Sequence, residues 1–383
     1  MASSTMLTTS KRILIFSLAY YPVEGGAEIA VKEITDRIGD IEFDMVTMRF
    51  EKDHPPKEKV GNVTIYRIDA SKFTFPIEAM LFGRKLHKQN HYDAIWSIMA
   101  ARAGGAALFF KYAFPEIKFI LTLQEGDPIE YMKRRSLYWI NPFFRKIFTN
   151  ADIVQAISHY LADYAAIMGY QGKVEVIPNG VDFAKFSIPI TDEERKSLRK
   201  ELGLNDSDTV IITTSRLMEK NAVQDIISAM KFLPENIKLL ILGIGPLERG
   251  LKAMVVDMDY ESRIKFLGHV PSDEIPKYLH LSDIFVRPSL AEGFGNSFVE
   301  AMAARLPVIA TPVGGIVDFL RDGETGLFCE VKNPENIARQ VTKLLGDPAL
   351  VQKLRQNGIK LAREQYDWDL IASEMKSRVF DKV

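Results

Sequence analysis

Apolar residues cluster in short, nearly continuous runs that alternate with longer stretches of mixed polarity. Such runs are typical of strands buried on both faces, as in a parallel sheet, and the mixed stretches are typical of helices that cover it. One helix is predicted over residues 27–38 of the first half. The strands predicted there cover residues 12–17, 43–47, 63–67, 94–97, 118–122, 153–156 and 174–177. The first half is therefore predicted to be a doubly wound α/β domain.

The second half repeats this alternation after a charged segment with a polar helix predicted over 192–202. Its predicted strands cover residues 210–214, 237–242, 264–267, 284–286 and 308–310. The predicted organisation is a Rossmann-like domain over 1–184, a linker over 185–207, a second Rossmann-like domain over 208–365 and a final helix over 366–383. Two such domains are expected to face each other across a cleft, because open α/β sheets bind ligands at the carboxyl ends of their strands.

Composition supports this organisation and limits the classes of partner that the protein could bind. A chain of 383 residues, 47% apolar and 26% charged, is too long for one core and suggests two domains. Its net charge of −1 offers no global attraction for nucleic acid. The single cysteine, Cys329, fits a reducing compartment. The polar N-terminus and the absence of a long apolar run predict a cytoplasmic location.

The stretch from Arg287 to Leu327 carries the strongest candidate chemistry. Glu292 lies in a loop after a predicted strand, and Ser297 with Glu300 fits a capping box that begins a helix. The backbone N–H groups of Phe294, Gly295, Asn296 and Ser297 then lie at the positive end of the helix dipole, which predicts an anion site. Taken alone, the two glutamates are equally well explained as a loop charge and a capping residue.

This stretch, with its EGFG core followed by AMAARLPVIATPVGG and DGETGLF, resembles the family-4 retaining glycosyltransferases of GT-B fold. The resemblance implies transfer of a hexosyl group from a UDP- or GDP-sugar to an acceptor hydroxyl, on a glycan or lipid-linked intermediate. It implies that Glu292 bonds hydroxyls of the donor sugar and that Glu300 bonds the nucleotide ribose. The first domain would then serve the acceptor, the second the donor, and the last helix would cross back onto the first domain.

Further donor contacts are implied for loops of the second half. Arg216 and Lys220 resemble the family's pair that holds the donor diphosphate, at a tighter spacing than in many members. Such cations stabilise negative charge as it develops on the leaving diphosphate. In isolation they are more simply two solvated loop charges. Gly243 predicts a close turn beside the donor, and the loop of His269 and Val270 is expected to lie against the base, although His269 alone also fits a surface position.

The first half contributes two candidate loops. Gly25 and Gly26 follow the first predicted strand, where glycines permit close backbone approach to a ligand. The resemblance implies that this loop contacts the donor phosphate and the acceptor, whereas the two glycines alone fit a simple turn. Gln124 stands where many family members carry a histidine that contacts the transferred sugar, a departure that leaves the sugar contact open. Gln124, Glu125 and Asp127 are all able to accept hydrogen bonds, and Glu125 or Asp127 is expected to contact sugar or acceptor.

Residues 132–148 interleave cations with aromatic residues. Such a segment fits an anionic membrane surface, which would suit a lipid-linked acceptor and a peripheral position on the inner face of the membrane. Arg84, Lys85, His87 and Lys88 would extend the basic surface. A basic helix that packs its aromatic side chains on the domain explains the segment equally well.

Two other classes of function remain as alternatives. A sugar-nucleotide-binding protein without transferase activity is supported by Gln124 in place of the histidine. A nicotinamide-dependent oxidoreductase is opposed by the glycine fingerprint, which fails at Glu248. Within the enzyme hypothesis, the sequence offers no nucleophile for a double displacement and no aspartate-rich metal motif. We therefore expect no metal or other cofactor. The family resemblance implies attack on the same face as the departing phosphate. The base, the sugar, the acceptor and the oligomeric state stay open.

Overall fold

The computed structural model describes residues 10–23, 25–127 and 142–383. These residues form two compact units. Unit 1 contains the described residues up to 125, residues 142–178 and residues 369–383, and unit 2 contains residues 126, 127 and 179–368. The predicted linker 185–207 lies within unit 2, and the domain boundaries proposed from the sequence stay predictions beside these units.

Unit 1 is built on an eight-stranded sheet. Its strands are β1 Lys11–Phe16, β2 Ile41–Met48, β3 Lys57–Val60, β4 Val63–Ile68, β5 Ala94–Ile98, β6 Lys118–Leu123, β7 Ile153–Ala156 and β8 Glu175–Val176. Their order is β3-β4-β2-β1-β5-β6-β7-β8, and neighbouring strands are parallel except for the antiparallel pair β3 and β4. The predicted doubly wound parallel sheet is confirmed. The sequence analysis missed β3, a short edge strand that reads KEKV and carries no continuous apolar run.

Helices cover the sheet of unit 1. They are α1 Gly26–Asp36, α2 Phe75–Asn90, α3 Arg102–Ala113, α4 Pro142–Thr149 and α5 His159–Ile167. Helix α2 approaches the sheet closely, because a Cβ added to Gly83 would lie 2.8 Å from the Phe16 ring and 3.1 Å from Leu14. Its buried face consists of Phe75, Ala79, Gly83 and Leu86. Any larger residue at position 83 would push the helix away from the sheet.

Unit 2 has a six-stranded, fully parallel sheet. Its strands are β9 Thr209–Thr214, β10 Ile237–Leu242, β11 Ile264–Gly268, β12 Ile284–Arg287, β13 Val308–Ala310 and β14 Leu327–Phe328, in the order β11-β10-β9-β12-β13-β14. Its helices are α6 Phe183–Ser187, α7 Asp192–Glu201, α8 Val223–Ala229, α9 Glu248–Asp257, α10 Ile275–Leu281, α11 Asn296–Ala303, α12 Pro334–Gly346 and α13 Pro348–Gln365. Because all strands run the same way, the loops that follow them share one edge of the sheet.

The last helix, α14 Trp368–Arg378, leads the chain back into unit 1. Lys11 donates from Nζ to the carbonyl oxygen of Phe380 at 2.7 Å, and Arg378 pairs with Glu175 at 2.7 Å. The Phe380 ring also packs edge-on against Trp96, with centroids 5.0 Å apart. The return of the C-terminal helix to the first domain is therefore confirmed.

Only part of the basic and aromatic segment 132–148 is described, since residues 132–141 lie outside the described residues. In α4, Ile147 and Phe148 are buried, and the Phe143 ring lies 5.1 Å from that of Phe109. Arg145 is exposed. This half of the segment therefore packs its apolar side chains on unit 1. None of the helices in the described ranges is both long and apolar enough to cross a membrane.

Candidate functional site

Arg287 organises the edge of unit 2 where β12 ends. The residue is 9% exposed, and its guanidinium donates to Glu292 Oε2, to Asn221 Oδ1 at 3.0 Å and to Ser297 Oγ at 2.8 Å. A buried cation is tolerated only when it is paired and hydrogen-bonded. Glu292, also 9% exposed, supplies the countercharge, and its Oε1 accepts the Gly293 N–H at 3.2 Å. We call Arg287, Glu292, Asn221 and Ser297 the Arg287 cluster.

The Arg287 cluster joins two loops that follow neighbouring strands. Asn221 comes from the loop after β9, and its Nδ2 donates to the Arg216 carbonyl oxygen at 2.6 Å. Arg287 and Glu292 come from β12 and the loop after it. Arg287 and Asn221 were not predicted as site residues from the sequence. An arginine that ends an otherwise apolar strand was the available signal, since its charge required a buried partner.

Lys220 lies beside this cluster. Its Nζ donates to the Gly126 carbonyl oxygen at 2.9 Å and to Asp127 Oδ1 at 3.1 Å. A Cβ added to Gly126 would lie 3.0 Å from Lys220 Nζ and 3.6 Å from Glu292 Oε1. The structure thus brings together Lys220, Asp127 and Glu292, which the sequence placed in three separate loops.

Arg216, the other predicted phosphate ligand, is exposed at the same edge. No ion pair of its guanidinium occurs with any residue that the structure describes. Its backbone is held instead, through the bond from Asn221 to its carbonyl oxygen. The Arg216 side chain is therefore available to a ligand, whereas Lys220 already has two protein partners.

The helix start predicted as an anion site differs from expectation in one respect. Gly295, with φ 97°, precedes α11, and no side chain caps the helix. The predicted capping box is wrong, because Ser297 lies inside the first turn and its hydroxyl accepts from Arg287. The N–H groups of Asn296 and Ser297 still have no helical carbonyl to bond. Asn179, which the sequence analysis did not single out, donates to Asn296 Oδ1 at 3.1 Å.

Phe294 contributes only its backbone to this edge. Its side chain is 1% exposed and packs between the rings of Phe319 and Tyr366, with centroid distances of 5.2 and 5.5 Å. The aromatic contacts anchor the loop between Glu292 and α11. Any ligand contact at position 294 would therefore come from its N–H or carbonyl group.

Glu300 differs electrostatically from Glu292. It lies in the middle of α11 and is half-buried. Removal from water raises the pKa of Glu300 to about 7, although Lys185 and Arg287 oppose this rise. Glu292 is held as the partner of a cation. Glu300 consequently changes charge near neutral pH.

Two glycines allow neighbouring loops to pack against the site. A Cβ on Gly314, whose φ is 54°, would lie 1.9 Å from the Glu292 carbonyl oxygen. The next residue, Gly315, donates its N–H to that oxygen at 3.0 Å. A Cβ on Gly243, with φ 133°, would lie 1.9 Å from the Ser215 carbonyl oxygen. Both positions require glycine, so the loops after β13 and β10 fix the backbone of those after β12 and β9.

The loop predicted to lie against the base follows β11. His269 is exposed and Val270 is half-buried. The Gly243 N–H donates to the Gly268 carbonyl oxygen at 2.7 Å and ties this loop to the one after β10. The structure places His269 and Val270 along the shared edge of the sheet, and their contact with a base stays a prediction.

The candidate residues of the first half divide between the units. Gly25 caps α1 in an extended conformation, and Gly26 is its first residue. Glu125 belongs to unit 1, where its carboxylate accepts the N–H groups of Ala100 at 2.8 Å and Gln124 at 3.0 Å. These bonds hold the Glu125 carboxylate in place within unit 1 and indicate nothing about a ligand. The predicted roles of Gly25, Gly26, Gln124 and Glu125 stay predictions.

Within residues 10–23, 25–127 and 142–383, no group of three or more histidine, cysteine, aspartate and glutamate side chains has an arrangement suited to a metal ion. The expectation that the protein works without a metal remains untested by this observation.

Two family models match the chain. The model described as glycosyl transferases group 1 matches residues 194–361, and the model described as Glycosyltransferase Family 4 matches residues 24–185. Together they cover most of the chain and both halves of it. The first of them contains the whole Arg287 cluster.

Individual glycosyltransferases and a solved structure are also similar to the chain. The chain is 26% identical over 384 residues to an N-acetyl-alpha-D-glucosaminyl L-malate synthase of Bacillus anthracis, which covers 96% of this chain and 97% of that one. It is 29% identical over 242 residues to a GDP-mannose-dependent monoacylated alpha-(1-6)-phosphatidylinositol monomannoside mannosyltransferase of Corynebacterium glutamicum, covering 60% and 62% of the two chains. Anabaena HepE, solved in complex with UDP-glucose, superposes with a TM-score of 0.80 at 19% identity, covering 97% of this chain and 99% of that one.

Proposed function

The chain belongs to the glycosyl transferases of group 1, with a first half of Glycosyltransferase Family 4, and has the GT-B fold; on this premise we propose that it is a retaining hexosyltransferase. It moves a hexosyl group from a nucleoside diphosphate sugar to an acceptor hydroxyl. The observation that supports this best is the buried Glu292, oriented by Arg287 and lying with Lys220 around Gly126. A carboxylate and a cation held so close together suit a sugar hydroxyl and a diphosphate.

In this proposal unit 2 binds the donor. Lys220 and Arg216 hold the diphosphate, helped by the N–H groups at the start of α11, while Glu292 accepts hydrogen bonds from the sugar. Glu300 bonds the ribose, and the loop of His269 and Val270 lies against the base. Arg216 is exposed and has no ion-pair partner among the described residues. Its side chain therefore forms its ion pair with the phosphate when the donor binds.

The reaction breaks the bond between the anomeric carbon and the β-phosphate oxygen. The acceptor oxygen forms the new bond on the same face of the sugar, and its proton passes to the departing phosphate oxygen. Negative charge grows on the diphosphate as the bond breaks, so preplaced cations stabilise the transition state more than the ground state. Lys220 and Arg216 supply this stabilisation without a metal in our proposal.

The relatives suggest classes of donor and acceptor. HepE binds UDP-glucose and the C. glutamicum protein uses GDP-mannose on a phosphatidylinositol mannoside. We propose a UDP- or GDP-sugar as donor, and a glycan or lipid-linked intermediate as acceptor. A cytoplasmic location with contact to the inner face of the membrane fits such an acceptor and stays part of the proposal.

The test is the substitution Glu292→Gln, assayed by release of nucleoside diphosphate from a panel of sugar donors. We expect turnover to fall by roughly 100-fold or more, because one hydrogen-bonding group directed at the transition state typically lowers the activation barrier by about 3 kcal/mol. Affinity for the donor should change far less. Glu324→Gln, an exposed glutamate of the same unit, is the control and should leave both unchanged.

Equal losses of turnover and donor affinity in Glu292→Gln would remove its role in the transition state. Donor binding by the unaltered protein, without transfer to any acceptor and without slow donor hydrolysis, would favour a non-catalytic sugar-nucleotide-binding protein instead.

A further inference from the structure

An exposed apolar stripe begins just before α2 and continues along its first half. Phe73 is 89% exposed, Ile77 54% and Leu81 53%. Their spacing of four residues places Ile77 and Leu81 on one face of the helix, with Phe73 immediately before it. Single exposed apolar side chains are ordinary, but three that recur every four residues along one segment indicate an interaction surface.

Cations occupy the same face in the second half of α2. At about 100° of rotation per residue, Arg84 and Lys88 lie in line with Ile77 and Leu81, and Lys85 lies beside them. All three are exposed. Lys72 precedes Phe73 and is exposed as well, whereas the only acid of α2 is Glu78. We call Phe73, Ile77, Leu81, Arg84, Lys85 and Lys88 the α2 stripe.

The orientation of the α2 stripe is fixed by the opposite face of the helix. Gly83 lies against Phe16 and Leu14 so closely that a Cβ would already clash. Phe75 and Ala79 on that face have no exposed surface. Rotation of α2 to bury Ile77 and Leu81 would break this packing. The apolar side chains therefore point to solvent unless a partner covers them.

We propose that the α2 stripe binds the surface of an anionic lipid bilayer. Its apolar half would enter the boundary between headgroups and acyl chains, and its cationic half would contact lipid phosphates. The chain as a whole has a net charge of −1, so these cations form a local positive surface rather than reflecting general basicity. The proposal rests on the proposed function insofar as a lipid-linked acceptor requires the enzyme at a membrane.

Pairing with a second copy of the chain fits the α2 stripe poorly. Two such helices in antiparallel contact would place the apolar half of one against Arg84 and Lys88 of the other. In parallel contact the cations would face each other, and like charges at close range repel. A bilayer instead offers an apolar layer and a phosphate layer to the two halves at once.

The experiment measures sedimentation of the full chain with vesicles, without donor or acceptor. Vesicles of phosphatidylcholine mixed with phosphatidylglycerol are compared with vesicles of phosphatidylcholine alone, at low and high salt. We expect binding only to the anionic vesicles, weakened by salt because charge attraction contributes to it. The variants are Ile77→Gln with Leu81→Gln, and Arg84→Gln with Lys88→Gln.

Loss of two cations should lower the partition coefficient by roughly 25-fold, at about fivefold for each cation near the surface. Loss of the two apolar side chains should lower it by about tenfold or more. Controls remove matched groups from exposed positions of unit 2: Lys353→Gln with Lys360→Gln on α13, and Val256→Gln on α9. These controls should stay within about twofold of the unaltered protein.

The proposal is overturned if the unaltered protein ignores anionic vesicles, or if the stripe variants bind like the controls. Loss of a concentration-dependent dimer in Ile77→Gln with Leu81→Gln, at unchanged vesicle binding, would assign the stripe to a second copy instead. Release of nucleoside diphosphate from a water-soluble donor is measured separately without vesicles. Failure of that release with intact vesicle binding would contradict the proposed function alone.

Discussion

The carboxyl edge of the unit 2 sheet and the outer face of helix α2 in unit 1 use their cations differently. In unit 2, Arg287 is buried among three side-chain partners and orients a carboxylate at the carboxyl edge of the sheet. In unit 1, the carboxylate at the corresponding edge, Glu125, is held by backbone N–H groups, while Arg84 and Lys88 are exposed on an outer helix. A buried cation fixes geometry, whereas an exposed cation attracts a charged partner.

This difference indicates separate tasks for the units. Preorganised charges lower a barrier because they need not reorganise as the reaction proceeds. Exposed charges are screened and contribute little to stability. Unit 2 is thus built to stabilise charge within a site, and the α2 stripe of unit 1 is built to meet a surface. The contrast predicts that substitutions of the buried cations change stability or turnover strongly, whereas substitutions of the exposed cations change them little.

The largest effect is expected for Arg287→Met. It leaves the Glu292 carboxylate buried without its countercharge, which typically costs about 3–5 kcal/mol of unfolding free energy. Arg84→Gln removes an equal charge from an exposed position and should change stability by less than about 0.5 kcal/mol. Urea unfolding of both variants measures the contrast, and equal stabilities would show that Arg287 is not the buried partner described here.

Lys220→Met is expected to have the next largest effect, on turnover. Removing a cation aimed at the leaving diphosphate should cost roughly 3 kcal/mol of the barrier, about 100-fold in kcat. Asp127→Asn removes only the partner that Lys220 has in the free protein and should change kcat by about fivefold or less. If the two substitutions lower kcat alike, Lys220 acts through Asp127 and not on the phosphate.

Gly314→Ala should have a smaller effect, transmitted through the backbone of Glu292. Its new Cβ would clash with the Glu292 carbonyl oxygen, adding about 1–3 kcal/mol of overpacking to the strain of a left-handed residue. Gly323 has φ 69° and open space around it, so Gly323→Ala carries the strain alone. Kinetics and unfolding of the pair separate the two costs. Identical results would mean that the loop after β13 does not support Glu292.

The smallest expected effect is a pH dependence from Glu300. Its folded pKa of about 7 exceeds the ordinary value of 4.5, so between these values the folded state binds a proton that the unfolded state lacks. The stabilisation is complete below pH about 4.5 and is lost as pH rises through 7. That pKa difference corresponds to at most about 3 kcal/mol, and solvent at the half-buried Glu300 reduces the effect to on the order of 1 kcal/mol. Glu300→Gln should remove this slope from unfolding curves, and an unchanged slope would contradict the burial of the carboxyl group.

Regular elements of the fold followed directly from the sequence. The strand predicted over 237–242 is β10 residue for residue, because five of its six residues are apolar and buried, as is typical of a strand inside a parallel sheet. Strands β3 and β14 were missed for the opposite reason. In β3 three charged residues follow one another, and β14 has only two residues, so neither carries an apolar run that hydropathy detects.

Site residues were predicted correctly where the motif lies in one stretch of sequence. The prediction failed where the partners are far apart in the sequence. Glu292 and the loop to Ser297 lie in one stretch, and the structure brings Lys220 to them. Asn221 lies 66 residues from Arg287, and no spacing rule predicts that bond. Ser297 was predicted to cap the helix because the sequence does not reveal that its hydroxyl accepts a hydrogen bond from Arg287.

The central claim is that the Arg287 cluster and Lys220 form a donor site for a nucleoside diphosphate sugar. The most direct measurement is thermal stabilisation by a panel of UDP-, GDP- and ADP-sugars, with NADH as control, on the unaltered protein and on Lys220→Met. A ligand at a hundred times its dissociation constant adds about 2.7 kcal/mol of stability. We predict a shift with one nucleotide class that is lost in Lys220→Met. A shift with NADH, or a shift of equal size in Lys220→Met, would contradict the account.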